Sequence, residues 1–310
     1  MPCYHPLKGW RSKTVNPSGK RSIVFNVKKA YHDLPIEVPC GQCIGCRLER
    51  SRQWAIRCMH EASLHERNMF ITLTYNDQNL PENGSLVKEH FQKFIKRFRK
   101  RYGQIRYFHC GEYGSQFARP HYHACIFGFE FDDKKHYRTI NGFRIYTSDK
   151  LAELWPFGYS TIGAVTFESA AYVARYITKK ITGKLAELSG HYDVINYDTG
   201  EVTTRQEEYI TMSLKPGIGE GWFDKFYDDV YPRDEIIIKG KKMKPPKYYD
   251  KLFDLVDSNM FRKIKGERIK KSLVHSSDCT YERLNIREQV QNSKFKQLIR
   301  PYETESFHSS

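Results

Sequence analysis

No stretch of this 310-residue chain is apolar for long enough to cross a bilayer. The opening MPCYHPLKGWRSK has no apolar core of the signal-peptide kind, so a cytoplasmic protein is expected. Internal repeats and low-complexity tracts are absent, which excludes solenoid and fibrous architectures. The phosphate-loop pattern G-x-x-x-x-G-K-[ST] is absent too. The glycines of KPGIGEG, residues 215–221, do not fit it and read as a turn. Acidic residues are in short supply: 36 Asp and Glu face 51 Lys and Arg, for a net charge of +15. Such a surplus calls for a polyanionic partner. Nucleic acid is the first expectation and an anionic membrane surface its competitor.

What is present describes a folded protein. Hydrophobic residues at 39% and aromatics at 14% are enough for a buried core, which argues against disorder. Eight cysteines in a cytoplasmic protein are expected to be thiols or metal ligands rather than disulfides. Residues 1–45, rich in Pro, Gly and Cys, read as an irregular cysteine-rich arm. Residues 46–235 read as the central domain and 236–310 as a basic extension with the runs KGKKMKPPK and RKIKGERIKK.

Within the central domain the spacing of Leu48, Ser51, Ala55, Met59 and Ala62 predicts a helix over 47–66, with Arg47 and Arg50 off its apolar side. MFITLTY, 69–75, is β-branched and aromatic and predicts a strand. Over 87–102, Phe91, Phe94, Ile95, Phe98 and Tyr102 form one helical stripe flanked by Lys93, Arg97 and Arg101. Strands are predicted over 105–112, 121–129 and 159–167, and helices over 148–155 and 168–182. The polar stretch 183–208 reads as loop. This order implies an α+β fold, with one central antiparallel sheet flanked by helices.

RPHYHACIFG, 119–128, places His121 and His123 two apart at the head of a strand, so both imidazoles share one face. If the strands 105–112 and 121–129 form a hairpin, Glu112 lies across from His121 and joins them. A carboxylate and two imidazoles make a three-ligand site with open positions. The mixture suits Mn²⁺ well, Mg²⁺ less ideally, and is compatible with Zn²⁺. His109 has the opposite parity to Glu112. In AAYVARYITKK, 170–180, Tyr172, Tyr176 and Lys179 fall on one helical face, with Arg175 nearby. Val173, Ala174, Ile177 and Ile181 fall on the other. The apolar face is expected to pack on the sheet, leaving both tyrosines away from the core. A cation beside a phenol favours phenolate and makes it a better nucleophile. Basic helices with interleaved aromatics suit single-stranded nucleic acid; the residues expected to contact it are Arg47, Arg50, Lys93, Arg97, Arg101 and Arg175.

Together these parts resemble the HUH endonucleases. FITLTY is similar to their first motif, PHYHACIFG to the second, and YVARYITKK, with its Y-x-x-K pattern at Tyr176 to Lys179, to the third. CYHP, PCGQCIGCRLERSRQWAIRC and EEYITMSLKPGIGEGWFDKFYDDVYP resemble, more narrowly, the replication initiation proteins of the Microviridae, the gokushoviruses in particular. The resemblance covers about residues 1–235. It implies an HUH-like sheet and a rolling-circle initiator that nicks and joins single-stranded DNA through a covalent 5′-phosphotyrosine. It further implies catalytic Tyr176, Tyr172 and Lys179, and Mg²⁺ or Mn²⁺ on His121, His123 and Glu112. The implied partners are the single-stranded or replicative-form phage origin, with a host helicase and DNA polymerase, in the cytoplasm of the host bacterium and without a membrane. With no motor of its own, the chain leaves strand separation to the host. Tyr122 is less apolar than the family's usual middle residue.

Cys40, Cys43 and Cys46 form C-x-x-C-x-x-C, to which Cys3 can add a fourth thiolate, with His5 as a substitute ligand. Four soft ligands suit a structural Zn²⁺ or an iron–sulfur cluster. Cys58, Cys110 and Cys125 are expected to be buried packing residues. The rival reading is a non-catalytic, zinc-containing nucleic-acid-binding protein. It accounts for the charge and the cysteines but not for the paired histidines and tyrosines.

Overall fold

The computed structural model describes residues 3–114, 117–179, 190–196 and 198–297, with backbone only for 175–179. These residues divide into two compact units. One combines Met1–Arg50 with Gly266–Leu298, and the other holds Ser51–Lys265.

The first unit begins with strands β1 (Leu7–Ser12), β2 (Ile23–Val24) and β3 (Ala30–Val38), paired antiparallel in the order β2-β1-β3. This corrects the irregular arm expected over 1–45. The strand signal is weak because AYHDLPIEV is mostly exposed and carries a proline. β3 lies at the edge, and Pro35 sits where the register shifts between Trp10 and Arg11, a place where a missing N–H is tolerated. Helix α1 (Ile44–Ala62) follows, and the division between units falls within it.

In the second unit the chain runs through β4 (Asn68–Tyr75), α2 (Lys88–Tyr102), β5 (Arg106–Tyr113), β6 (Pro120–Phe127), β7 (Lys135–Ile140), β8 (Phe143–Thr147), α3 (Asp149–Leu154), β9 (Gly158–Gly163) and α4 (Phe167–Lys179). It continues through the hairpin β10 (Asp193–Ile195) and β11 (Val202–Thr204), then β12 (Tyr209–Met212), α5 (Glu220–Val230), the hairpin β13 (Ile236–Ile238) and β14 (Lys241–Met243), and α6 (Lys247–Val256). Helices α7 (Ser258–Leu273) and α8 (Tyr281–Lys296) end the described chain. Seven strands form one antiparallel sheet in the order β12-β5-β6-β4-β9-β8-β7. The α+β class and the central antiparallel sheet expected from the sequence are present.

Helices cover both faces of that sheet, so every residue of β6 is buried. One face carries Ile71, Leu73, Tyr122, Ala124 and Ile126 against Phe91, Phe94, Ile95 and Phe98 of α2 and Leu151 and Trp155 at α3. The other carries Phe70, Phe108, Cys110, Cys125 and Phe127 against Ala55 and Cys58 of α1 and Ala170, Tyr172, Val173 and Ala174 of α4. Cys58, Cys110 and Cys125 are thus buried packing residues. The hairpin β7–β8 falls in a stretch for which no element was expected. Its turn is Asn141-Gly142, both at positive φ, as the two-residue turn matched to strand twist requires.

A third cluster joins Ile56 of α1 to Phe223, Tyr231, Tyr249, Phe253 and Phe261. Residues 236–265 therefore pack with the central domain, where a separate extension over 236–310 was expected. KPGIGEG is a packed turn beside this cluster. Gly219 adopts φ +77°, and a Cβ there would lie 2.5 Å from Tyr249 Oη. Glu61, buried and ion-paired with Arg106, accepts a hydrogen bond from the Gly219 amide at 2.7 Å. His60 is sealed in here, its ring stacked on Trp222 and its Nδ1 3.0 Å from Tyr249 Oη. Burial pushes its pKa down to about 3. The folded state holds His60 neutral while an unfolded chain protonates it below about pH 6.5. Stability therefore falls as pH drops from about 6.5 toward 3, with His60 accounting for about 2 kcal/mol at pH 5. Urea unfolding of wild type and His60→Gln at pH 7.5 and pH 5 checks this. The pH-dependent loss should shrink in the variant.

Candidate active site

The hairpin of β5 and β6 sets Glu112 directly opposite His121 and Cys110 opposite His123. On the other side of β6, β4 sets Thr74 opposite His121 and Thr72 opposite His123. Strand alternation puts all of these on the α4 face. Glu112 and His123 are each 2% exposed and His121 9%. Glu112 Oε1 and His123 Nε2 are 2.8 Å apart, and Tyr172 Oη donates to the same Oε1 at 2.9 Å. The Tyr172 ring stands edge-on to His123 at 5.0 Å between centroids and to Phe70 at 6.5 Å, and Phe70 stacks on that imidazole at 5.6 Å. His121 and His123 lie nearly parallel, 6.2 Å apart.

The ring nitrogens are oriented. His121 Nδ1 lies 2.6 Å from the Arg119 carbonyl, so Nδ1 carries the proton and Nε2 the lone pair. Burial, then the neighbouring His123, hold its pKa down to about 3, keeping the ring neutral and ligand-competent. His123 Nδ1 lies 2.9 Å from Thr72 Oγ1, a hydroxyl able to donate or accept as the tautomer demands. Thr74 Oγ1, in the row with His121 and Glu112, is buried with no hydrogen-bond partner among the described residues. One carboxylate, two imidazoles and an unsatisfied hydroxyl on one buried face are a fitting donor set for a divalent cation.

Tyr172 corrects one expectation. It was placed with Tyr176 away from the core, yet it is 2% exposed and points at the sheet. Its apolar neighbours Val173 and Ala174 are buried as expected. The reason lies on the sheet: beneath α4 its otherwise apolar surface carries Glu112 and His123, so a phenol seats there with its ring on Phe70 and His123 and its hydroxyl on Glu112. The side chains of Arg175, Tyr176 and Lys179 lie outside the described residues, as does Ile181. His109 faces away, stacked on Phe91 of α2, as its parity implied.

Sequence reasoning missed Thr72 and Phe70; the alternation of FITLTY, with Phe70, Thr72 and Thr74 in phase, carried the signal. It also left Tyr122 as a departure. The hydroxyl of Tyr122, on the opposite face, accepts from Val87 N and donates to Val87 O, both at 2.9 Å, and meets Tyr75 Oη at 2.8 Å. It thereby holds the start of α2, which has no side-chain cap. Tyr122→Phe, which strands these groups, should lower stability by about 1–3 kcal/mol in urea unfolding.

Three of the residues expected to hold DNA are engaged within the protein. Arg97 gives both Nε and Nη2 to the Leu154 carbonyl at 3.1 and 2.8 Å, Arg101 pairs with Glu153, and Lys93 lies 3.4 Å from Glu89. All three belong to α2, on the face opposite the histidines, and Arg97 and Arg101 serve to dock α3. Arg47 and Arg50 begin α1 in the first unit, where Arg50 reaches the Gly41 carbonyl at 3.4 Å.

The cysteines expected as metal ligands come together in the first unit. The ligand atoms of Cys3, Cys40, Cys43 and Cys46 all lie within 4.8 Å of one another. His5, the substitute ligand, instead meets Glu288 of α8 at 2.6 Å.

A family model described as Replication-associated protein ORF2/G2P matches residues 68–181, from β4 through α4. The chain is 33% identical to Replication-associated protein VP4 of Bdellovibrio phage phiMH2K, over 80% of its own length and 76% of that protein. It is 32% identical to Replication-associated protein ORF2 of Spiroplasma virus 4, over 98% and 99% of the two chains. Against Replication-associated protein ORF4 of Chlamydia phage 1 it is 29% identical, over 82% and 64%. No solved structure matches the chain.

Proposed function

The chain belongs to the replication-associated proteins of microviruses, and from there we propose that it starts rolling-circle replication as an HUH-type enzyme, nicking and rejoining single-stranded DNA at the phage origin. The observation that carries this reading is the Tyr172 hydroxyl aimed at Glu112 Oε1, which faces His123 Nε2. A phenol, a carboxylate and two imidazoles converge on one buried face.

In the proposed reaction a tyrosine Oη attacks the scissile phosphorus, and the bond from phosphorus to the 3′-oxygen breaks. The 5′-phosphate stays on the tyrosine and the 3′-oxygen leaves with a proton as a free hydroxyl. One phosphodiester replaces another, so the reverse attack by a 3′-hydroxyl rejoins the strand without ATP. Glu112, His121 and His123 would hold Mg²⁺ or Mn²⁺, which supplies Lewis-acid polarisation of the scissile phosphate. Glu112 Oε1 orients the Tyr172 hydroxyl before attack. Thr72 and the Arg119 carbonyl fix the two imidazoles, and Phe70 and the packed helix keep water from the phenol. Lys179, by its spacing, favours phenolate at Tyr176. With no phosphate-loop motif in the sequence, unwinding and synthesis are left to a host helicase and DNA polymerase.

Incubating the protein with labelled single-stranded origin DNA and Mn²⁺, then running a denaturing gel, tests the reading. A label that stays with the protein band supports the enzyme. Salt-sensitive binding with no cleavage under any divalent cation would instead leave a non-catalytic nucleic-acid-binding protein.

A further inference from the structure

We propose that Cys3, Cys40, Cys43 and Cys46 hold one Zn²⁺ as a four-thiolate structural centre that clasps the N-terminus, the start of α1 and helix α8 into a single unit. The proposal is independent of the nicking chemistry.

The first support is distance. A tetrahedral ion with Zn–S bonds of about 2.3 Å sets its sulfurs about 3.8 Å apart. All four sulfurs here lie within 4.8 Å of one another, on residues that are buried or half-buried. That is the spacing of thiolates around a single ion. An iron–sulfur cluster places its irons between the thiolates and drives them farther apart, which disfavours the cluster that the C-x-x-C-x-x-C spacing alone allows.

The second support is the backbone. Amide N–H groups point at the sulfurs: Cys40 N donates to Cys3 Sγ at 3.3 Å, and Tyr4 N to Cys43 Sγ at 3.4 Å. Gln42 N and Cys43 N both donate to Cys40 Sγ, at 3.4 and 3.3 Å. Sulfur of a thiol is a weak acceptor, whereas a thiolate bound to a cation gains from such donors. Gly41, between Cys40 and Gln42, has φ +77°, the left-handed conformation that turns these two amides back onto Cys40. Cys43 immediately precedes α1 and Cys46 lies in its first turn, where the positive end of the helix dipole favours negative sulfur.

The third support is what surrounds the cluster. Tyr4, Ile44 and Leu284 pack on the cysteines, and Leu284 is the buried residue of α8. Cys3 and Leu284 are 281 positions apart, and a three-stranded sheet whose longest strand is mostly exposed gives this unit little other core. A small unit of this kind is one that a structural metal stabilises.

Elemental analysis of the purified full-length protein should return about one zinc per chain, and the His121→Ala/His123→Ala variant should keep it. Replacing zinc by Co²⁺ should give the strong visible bands of tetrahedral cobalt with thiolate-to-cobalt charge transfer. Titration of the wild-type protein with a mercurial should release one equivalent of zinc. It should also speed protease cleavage within residues 3–46 and 281–296 well before cleavage within 51–265. Because a Cys43→Ser variant can fail to fold, the wild-type measurements decide. A folded preparation with under a tenth of a zinc per chain overturns the proposal. So does stoichiometric iron with inorganic sulfide, or a zinc lost in the double-histidine variant.

Discussion

The variant His121→Ala/His123→Ala should nick single-stranded origin DNA slower than wild type by on the order of 10³-fold or more, while still binding it. The two effects separate because they rest on different groups. Phosphate binding draws on lysines and arginines, of which the chain has 51, and follows counterion release. The slope of affinity against salt should therefore be little changed. Cleavage depends on charge stabilisation at one phosphate, and removing both imidazoles leaves Glu112 the sole proposed ligand on that face. Both rings are buried, so some loss of stability accompanies the change. Urea unfolding distinguishes an unfolded variant from a folded, inactive one, and His121→Asn/His123→Asn keeps a polar group of smaller volume as a second test. A folded double variant that nicks at the wild-type rate removes the histidines from the reaction.

The histidine strand was readable because strand periodicity is 2 and does not depend on what packs against it. Once His121 and His123 share a face, and a hairpin brings Glu112 opposite, little freedom remains; the register pairs Glu112 with His121. The orientation of Tyr172 was not readable in the same way. Sorting a helix into apolar and polar sides assumes an apolar surface beneath it, and the surface beneath α4 carries a carboxylate and an imidazole. The same limit hid Arg97: a cation beside an apolar stripe reads as a free phosphate contact unless the end of α3, far along the chain, is known to lie within reach. The β7–β8 hairpin is a different case. Asn141-Gly142 between YRTI and FRIY is a strong local signal and needed no tertiary knowledge. In the cysteine cluster, C-x-x-C-x-x-C is local and visible. The fourth sulfur, 37 positions before Cys40, is brought in by the pairing of β1 with β3, and that sheet was masked by its exposed residues and by Pro35.

Replacing both tyrosines, Tyr172→Phe/Tyr176→Phe, should abolish the covalent protein–DNA adduct, a loss of at least about 10³-fold. The single variants separate the roles. Rolling-circle synthesis ends by cutting a regenerated origin while the first 5′ end is still on the protein, so one nucleophile is occupied when another is needed. Residues 172 and 176 are one helical turn apart, about 6 Å along the axis, which lets two phenols serve one phosphate in alternation. In Tyr176→Phe the adduct should map to Tyr172, whose hydroxyl already lies 2.9 Å from Glu112 Oε1. One nick should then form, but no closed unit-length circle. Because Lys179 lies one turn beyond residue 176, Tyr176→Phe should slow the initial nick more than Tyr172→Phe does. Tyr172→Phe should also lower stability by about 0.5–1.5 kcal/mol through the lost hydrogen bond to Glu112. That stability change is all a purely structural Tyr172 would produce. Mass spectrometry of trapped adducts therefore decides between the roles: nucleotides that never appear on Tyr172, with circles still released by Tyr172→Phe, would leave its hydroxyl only a holder of Glu112.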